Sequence, residues 1–386
     1  MRSRAVQFTV FTFSLSNAYL LPSNHFRGKL LAGRRMLSRV ADVASSYQDA
    51  DVSPSPSEGP YEKSDQVTSP TDLERLIEPC DPGMQRMVRS IFESIDEISY
   101  GVRRMTCNAV SCFYDLGGNQ FAIDDLAVEV FYEKLRNTGV CEVASSMGAK
   151  VQTPLGGTGY SVAFNALDGS SIHDTNFAIG TVCGVWKGGN LYNVTGREIE
   201  CAVMALYGPR TTIAISIKGT AFTHEFLLDE DAPPLSLQRW RKSATYASMQ
   251  EGTLAAPGSI RSSAFVPGYK KLIDEWISKG YSMRYTGSMT ADVHQIMKKG
   301  FGVFCHVTCP EHPAILHMLH EGIPAAYLVE KAGGASSQGE YSVLDVKVES
   351  PEQRSQIAVG TKMEIARFET LVGPAPEYGA PSRLRS

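Results

Sequence analysis

At 386 residues, with 43% hydrophobic and 20% charged side chains, the chain can bury a sizeable core in water, which excludes wholesale disorder, a collagen-like fibre and a multi-spanning membrane protein. Lys plus Arg number 37 against 41 Asp plus Glu, a net charge of −4, so no basic field recommends nucleic acid or an anionic lipid surface as a partner. The length suggests two or three domains at about 150 residues each, or one large α/β unit.

The charge is unevenly spread. Residues 1–41 hold seven basic residues and no acid. Arg2 and Arg4 precede an apolar stretch from Ala5 to Ser14, too short and too rich in Thr to span a bilayer, and small residues follow at Ser16 and Ala18, the pattern of a secretory signal peptide. From Tyr19 to Ser46 the chain is basic, with its first acid at Asp42, the composition of a transit peptide. A signal followed by a transit sequence resembles the bipartite leader of complex algal plastids. Residues 1–46 are therefore expected to be a plastid address, with an ordinary basic tail as the alternative, and the mature form is expected to be free of the membrane. Residues 47–71 are mostly Ser, Pro, Asp and Glu and are expected to be a disordered spacer. Beyond residue 71 the chain has 29 basic against 35 acidic residues, a net −6.

Ser69 to Asp72 supplies helix-capping side chains, and Met84, Met87, Val88, Ile91, Ile95 and Ile98 recur at three and four residues. That spacing predicts an amphipathic helix of about four turns. Ile123, Leu126, Val130 and Leu135 predict a second helix over 120–136, and short β-rich runs follow at 160–164, 177–186, 211–217 and 222–228. Past a Pro/Gly-marked stretch at 255–259, helices are expected over 268–279, 290–298, 313–320, 323–332 and 362–371, and strands over 301–306 and 356–360. Helices, then strands, then alternation predict an α/β chain of two lobes, 72–250 and 251–374, with a disordered tail over 375–386.

Eight cysteines do not make a disulfide scaffold at this length, and no Cys-x-x-Cys pair recurs at zinc-site spacing. Cys107 and Cys112, in a polar, turn-rich stretch, are either a switchable pair or two unconnected thiols, since spacing alone does not bring them to bonding distance. His306, His312, His317 and His320 raise an acquired transition-metal site, with 317 and 320 on one predicted helix face. Surface or partly buried histidines are the plainer reading.

The most informative stretch is Phe164-Asn-Ala-Leu-Asp-Gly-Ser-Ser171, a hydrophobic strand running into an acid, a glycine and two hydroxyl residues. Such a turn can offer successive backbone N–H groups to a phosphate while the acid holds a metal beside it. Its company makes it specific: Asp174-Thr-Asn-Phe, Tyr207-Gly-Pro-Arg-Thr-Thr, Arg284-Tyr-Thr-Gly-Ser-Met-Thr-Ala-Asp-Val-His, Glu330-Lys-Ala-Gly-Gly and Val343-Leu-Asp follow in order. Together these segments, from about Asp72 to Gly373, closely resemble the fructose-1,6-bisphosphatase and sedoheptulose-1,7-bisphosphatase family. Cys107 and Cys112 stand where the plastid sedoheptulose branch carries its thioredoxin-regulated pair.

The resemblance implies a layered α-β-α-β-α sugar-phosphatase fold and Mg2+-assisted removal of the 1-phosphate from sedoheptulose-1,7-bisphosphate, or from fructose-1,6-bisphosphate, in plastid carbon fixation. It also implies a homo-oligomer, a dimer or tetramer, that binds sugar bisphosphate and thioredoxin. By position, Asp168, the Leu167 carbonyl and Glu321 match metal ligands, and Asp124 matches an acid that orients the attacking water. Gly169, Ser170 and Ser171 match the cradle of the reacting phosphate; Arg284 and Tyr285 match groups that hold the distal phosphate and sugar. Asp168 and Glu321 also read as ordinary turn and helix acids, and Asp124, beside Asp125, reads equally as a solvated helical acid.

The departures are as informative. Where the family has acids, this chain has Gly118, Met147, Gly148 and Asn165; a basic position before Leu316 is Ile315, the residue after Leu316 is His317, and an aromatic position is His306. A thioether and a hydrogen do not replace oxygen ligands for a hard cation, and the Asn165 amide oxygen coordinates only weakly. Two expectations follow: an enzyme whose lost ligands are replaced by others, or a catalytically impaired relative that binds sugar phosphate or assembles with, and regulates, an active phosphatase.

Overall fold

The computed structural model describes residues 70–375 apart from 108–111, 117–118, 150, 170 and 234–235. The expected leader, the spacer up to residue 69 and the tail from 376 lie outside the described residues, as do Gly118 and Ser170. Among the described residues no helix is long and apolar enough to cross a membrane.

Where the spacing suggests one capped helix there are two. Thr71 caps α1 (Asp72–Ile77) in a reciprocal box with Glu74, and Asp81 caps α2 (Pro82–Arg104) through the amides of Gly83 and Met84. Pro79 and Pro82 explain the break: each lacks an N–H and disfavours helical geometry in the residue before it, while Pro82 suits a first helical position. β1 (Thr106–Cys107), β2 (Cys112–Leu116) and β3 (Asn119–Ala122) form a small antiparallel sheet that leads into α3 (Ile123–Asn137). Pairing of Ala122 with Phe113 holds the chain extended to residue 122, so this helix begins later than its periodicity suggests.

The central layer is an eight-stranded sheet of β4 (Cys141–Ser146), β5 (Thr153–Pro154), β6 (Tyr160–Asp168), β7 (Ile179–Lys187), β8 (Ile199–Tyr207), β9 (Thr211–Ile217), β10 (Thr223–Leu228) and β11 (Trp240–Tyr246). The order is 11-10-9-8-7-6-4-5, antiparallel except where β4 lies beside β6. Both faces are covered. Along β8, Cys201, Val203, Ala205 and Tyr207 join the core beneath α2 and α3, and Ala202 and Met204 join the core on the other side, as period-two alternation requires.

The rest of the chain runs β12 (Leu254–Pro257), α4 (Pro267–Ser278), β13 (Ser282–Met283), α5 (Met289–Lys299), β14 (Val303–His306), α6 (Ile323–Lys331), β15 (Ala335–Ser337), β16 (Ile357–Gly360) and α7 (Lys362–Leu371). Its five strands pair in the order 13-12-14-16-15. α5 and α6 pack between the two sheets, and α4 and α7 cover the far face through Tyr269, Leu272, Trp276, Ile365 and Phe368. Helices, sheet, helices, sheet, helices: the layering is the α-β-α-β-α arrangement the sequence implies.

One expected helix, 313–320, does not form. His317 is extended and bridges to Arg354, Met318 donates its amide to Gln353, and a wide turn, Met318–Gly322, closed by the Gly322 amide on the His317 carbonyl, runs into α6. Tertiary pairing overrides the local period here, and His317 and His320 do not share a helix face; their rings meet edge to face at 5.8 Å.

α2 is tied to the sheet edge by a buried ion pair in which Arg239 reaches both oxygens of Asp96, at 2.5 and 2.7 Å. Removing one partner of such a pair leaves an uncompensated buried charge and costs about 3–5 kcal/mol. Arg239→Ala is expected to lose that much in urea unfolding, and a loss below about 1 kcal/mol would show that the pair is not a tie.

Candidate functional site

The site begins where β6 ends. All nine residues of β6 are buried, and its pairing with β7 is regular to Asn165 opposite Val182, then slips before resuming at Asp168 opposite Gly180. An irregularity of this kind re-aims the side chains around it. It leaves Asn165, Leu167 and Asp168 on the wall of one cleft of about 300 Å3, with Gly169 and Ser171 of the following turn. Gly180 is a glycine because α5 comes close: a Cβ there would stand 2.2 Å from the Thr290 methyl.

That approach decides the state of Asp168. One carboxylate oxygen accepts from the Ser288 hydroxyl (2.7 Å), the Thr290 amide (2.7 Å) and the Thr290 hydroxyl (2.6 Å), all at the N-terminus of α5. Ser288 also caps α5 through the amide of Ala291. Burial, and after it the charge of Glu321, pushes the Asp168 carboxyl above the usual range, against the pull of these hydrogen bonds.

Glu321 is presented by the wide turn before α6. One of its oxygens accepts from the Asn165 amide group (3.1 Å) and the other from the His317 backbone N–H (2.9 Å). Both oxygens thus have protein donors, and Asn165 offers Glu321 a donor where a cation site would need another acceptor. Met147 lines the cleft and Gly148 has no side chain to offer. Among the described residues no group of three or more His, Cys, Asp or Glu side chains is arranged to hold a metal. As arranged, with both Glu321 oxygens on protein donors, the cleft offers Mg2+ few free protein oxygens, and water or phosphate would have to supply the rest of its six ligands.

Three histidines stand nearby. His306 and His317 line the cleft, and His320 meets the Ser145 hydroxyl at 2.9 Å. Burial pulls His306 down to about 4 and His320 to about 3, so both are neutral at pH 7. The Nδ1 atoms of all three are buried without a hydrogen-bond partner.

The structure thus gathers Asn165, Leu167, Asp168, Gly169, Ser171, Tyr285 and Glu321 around one cleft. Two expected residues stand apart from its wall: Arg284 is exposed with its guanidinium on the Met283 carbonyl, and Asp124 is exposed in the first turn of α3, 3.8 Å from His173 Nδ1. Cys107 and Cys112 are bridged across β1 and β2, with the Cys107 sulfur 4.0 Å from the His173 carbonyl. Sequence reasoning assigned no role to Ser288, Thr290 or His173. For Ser288 a signal existed, since Ser just before an apolar periodic run is a helix cap.

The chain matches the models of the fructose-1-6-bisphosphatase N-terminal domain over residues 74–237 and C-terminal domain over 249–373. It is 40% identical to a chloroplastic sedoheptulose-1,7-bisphosphatase of Triticum aestivum over 297 residues, 76% of this chain and 74% of that one. It is 34% identical to a class 1 fructose-1,6-bisphosphatase of Geobacter sulfurreducens over 263 residues, 67% and 80% of the two chains. A crystal structure from Toxoplasma gondii, described as a sedoheptulose-1,7 bisphosphatase, superposes with a TM-score of 0.71 at 26% identity, covering 78% of this chain and 98% of that one.

Asp292, in the first turn of α5, gives the site floor a pH signature. It is buried, accepts from the Thr286 amide, and burial raises its carboxyl to about 7. Against an unfolded value of ~3.9 the folded state alone holds this proton between pH ~4 and ~7, so this group's contribution falls as pH rises through that window, by about 1.4 kcal/mol per unit. In urea titrations Asp292→Asn is expected to gain on the parent from pH 5 to pH 8. A difference that does not change with pH would contradict this.

Proposed function

The chain belongs to the fructose-1,6-bisphosphatase and sedoheptulose-1,7-bisphosphatase family, and from that premise we propose that it binds a ketose phosphate but is impaired in the metal-assisted hydrolysis the family fold supports. One observation carries the reading: both oxygens of Glu321 are taken by the Asn165 amide and the His317 N–H, while Met147 and Gly148 offer no oxygen. The residues that remain suit binding. The turn at Gly169 and Ser171 can present backbone N–H groups to a phosphate, and Tyr285 can lie against the sugar. Asp168, held at one oxygen by α5, keeps that turn in place.

Sedoheptulose-type ligands come ahead of fructose-type ones in this reading, because relatives named for the former are 39–41% identical and those named for the latter 32–34%. A plastid role in carbohydrate metabolism draws support from the chloroplastic relatives and from the composition of residues 1–46. Assembly with further copies or with an active relative, and response of the Cys107–Cys112 pair to thioredoxin, belong to the same reading.

Incubated with millimolar Mg2+ and either bisphosphate, the reduced protein is expected to release phosphate at least ~10²-fold more slowly than an active relative, the scale of one lost acid–base or metal role. Release at a comparable rate would overturn the proposal. Partial restoration sharpens the test. Gly148 has φ +85°, where a side chain is strained, so the variant of choice is Met147→Glu with Asn165→Asp. It is expected to be less stable than the parent without metal and to gain melting temperature with Mg2+, whereas the parent should show no Mg2+-dependent shift.

A further inference from the structure

The cleft wall carries two carboxylates, Asp168 and Glu321, so a phosphorylated ligand that enters it needs cations at its rim. Arg284 adjoins Tyr285 in sequence, and the field of exposed Arg261 is felt at Tyr285 and His306. A third arginine stands at His317. Arg354 and His317 face each other across an antiparallel bridge, and residues directly opposed in such a bridge project their side chains to the same face. His317 lines the cleft, so Arg354 comes to the rim beside it.

The contact between them has a direction. Arg354 Nε donates to His317 Nε2 at 3.2 Å. An imidazole nitrogen that accepts leaves the ring proton on the other one, so His317 carries it on Nδ1, 3.6 Å from Glu321 Oε2. Glu321, His317 and Arg354 thus form one row from the wall to the rim. A guanidinium offers five N–H groups in a fixed fork. His317 takes the one on Nε, and among the described residues those on the two terminal nitrogens have no protein partner. Glu352 stands 3.8 Å from His317 Nε2 yet makes no ion pair with Arg354. The side chain of Arg354 is exposed, open to a ligand.

We propose that Arg354, oriented by His317, binds a phosphate group of the sugar phosphate through its two terminal nitrogens. The inference rests on the binding role proposed above and assigns a residue to it. Two parallel N–H···O bonds from a guanidinium match the spacing of phosphate oxygens and fix direction as well as charge. The Nε contact restrains a long side chain before the ligand arrives, which lowers the entropy cost of ordering it. A lysine would keep the charge but could not meet His317 and present a fork at once.

The test is calorimetric titration of the full chain in excess chelator with fructose 1,6-bisphosphate. Arg354→Gln is expected to weaken binding about tenfold or more, the scale of charge-assisted hydrogen bonds, and Arg354→Lys to recover only part of the loss. Arg86→Gln, which removes the same charge from the exposed face of α2, is expected to change affinity by about twofold at most. His317 is a positioning residue: His317→Leu should weaken binding, His317→Gln, whose side-chain oxygen can accept from Nε, should restore most of it, and His317→Leu should cost little more once Arg354→Gln is present. Parent affinity in Arg354→Gln or in Arg354→Lys, or full additivity of the Arg354 and His317 losses, would overturn the proposal and leave the binding role standing. A parent that binds no bisphosphate would overturn both.

Discussion

A carboxylate removed from water must be given partners, and the cleft supplies them twice from within the protein. Glu321 receives the side-chain amide of Asn165 and the backbone of His317, and Asp168 receives three donors from Ser288 and Thr290. Buried charges left without such partners are among the costliest features a fold can carry. Metal sites of hard cations solve the same problem with the ion itself. Here hydrogen bonds do it, and the rest of the site is arranged around them.

That solution ties distant segments together. The Asn165 to Glu321 contact spans 156 residues and joins the central sheet to the turn before α6. α5 is held at both ends: its N-terminus grips Asp168, and toward its C-terminus His294 and Lys298 reach the buried Glu225 of β10, at 2.9 and 2.6 Å. Ser243 and Tyr246 of β11 complete that carboxylate's partners, and these bonds together hold it well below the usual range in spite of burial. The helix that fixes the cleft floor is thus anchored on β10, next to the far edge strand of the same sheet.

Much of this architecture is legible in the residues. α7 occupies the predicted 362–371, and α4 and α5 lie within one residue of their expected bounds at each end. β8 was not foreseen: Ile199–Tyr207 is apolar on both faces, and a strand covered on both sides loses the alternation by which strands are read. The helix expected at 313–320 failed because pairing of His317 with Arg354 is a tertiary fact that no local period encodes. At the site, the Asp168 turn stands out by its residue types, and the replaced positions by the chemistry they lack. What could not be read was where the remaining acids find their hydrogen bonds, since Ser288, Thr290 and His317 are brought to them only by the layering of the two sheets.

The left-handed backbone of Gly148 carries a consequence for the history of this chain. An acidic residue placed at Met147 would need a change of side chain alone. Glycine lets the main chain settle at φ +85°, where any later side chain meets steric resistance. Reversal then requires the loop to be reshaped and the side chain to be regained, two events neither of which is useful without the other. Such a position behaves as a ratchet, because a glycine at left-handed φ is easier to acquire than to replace.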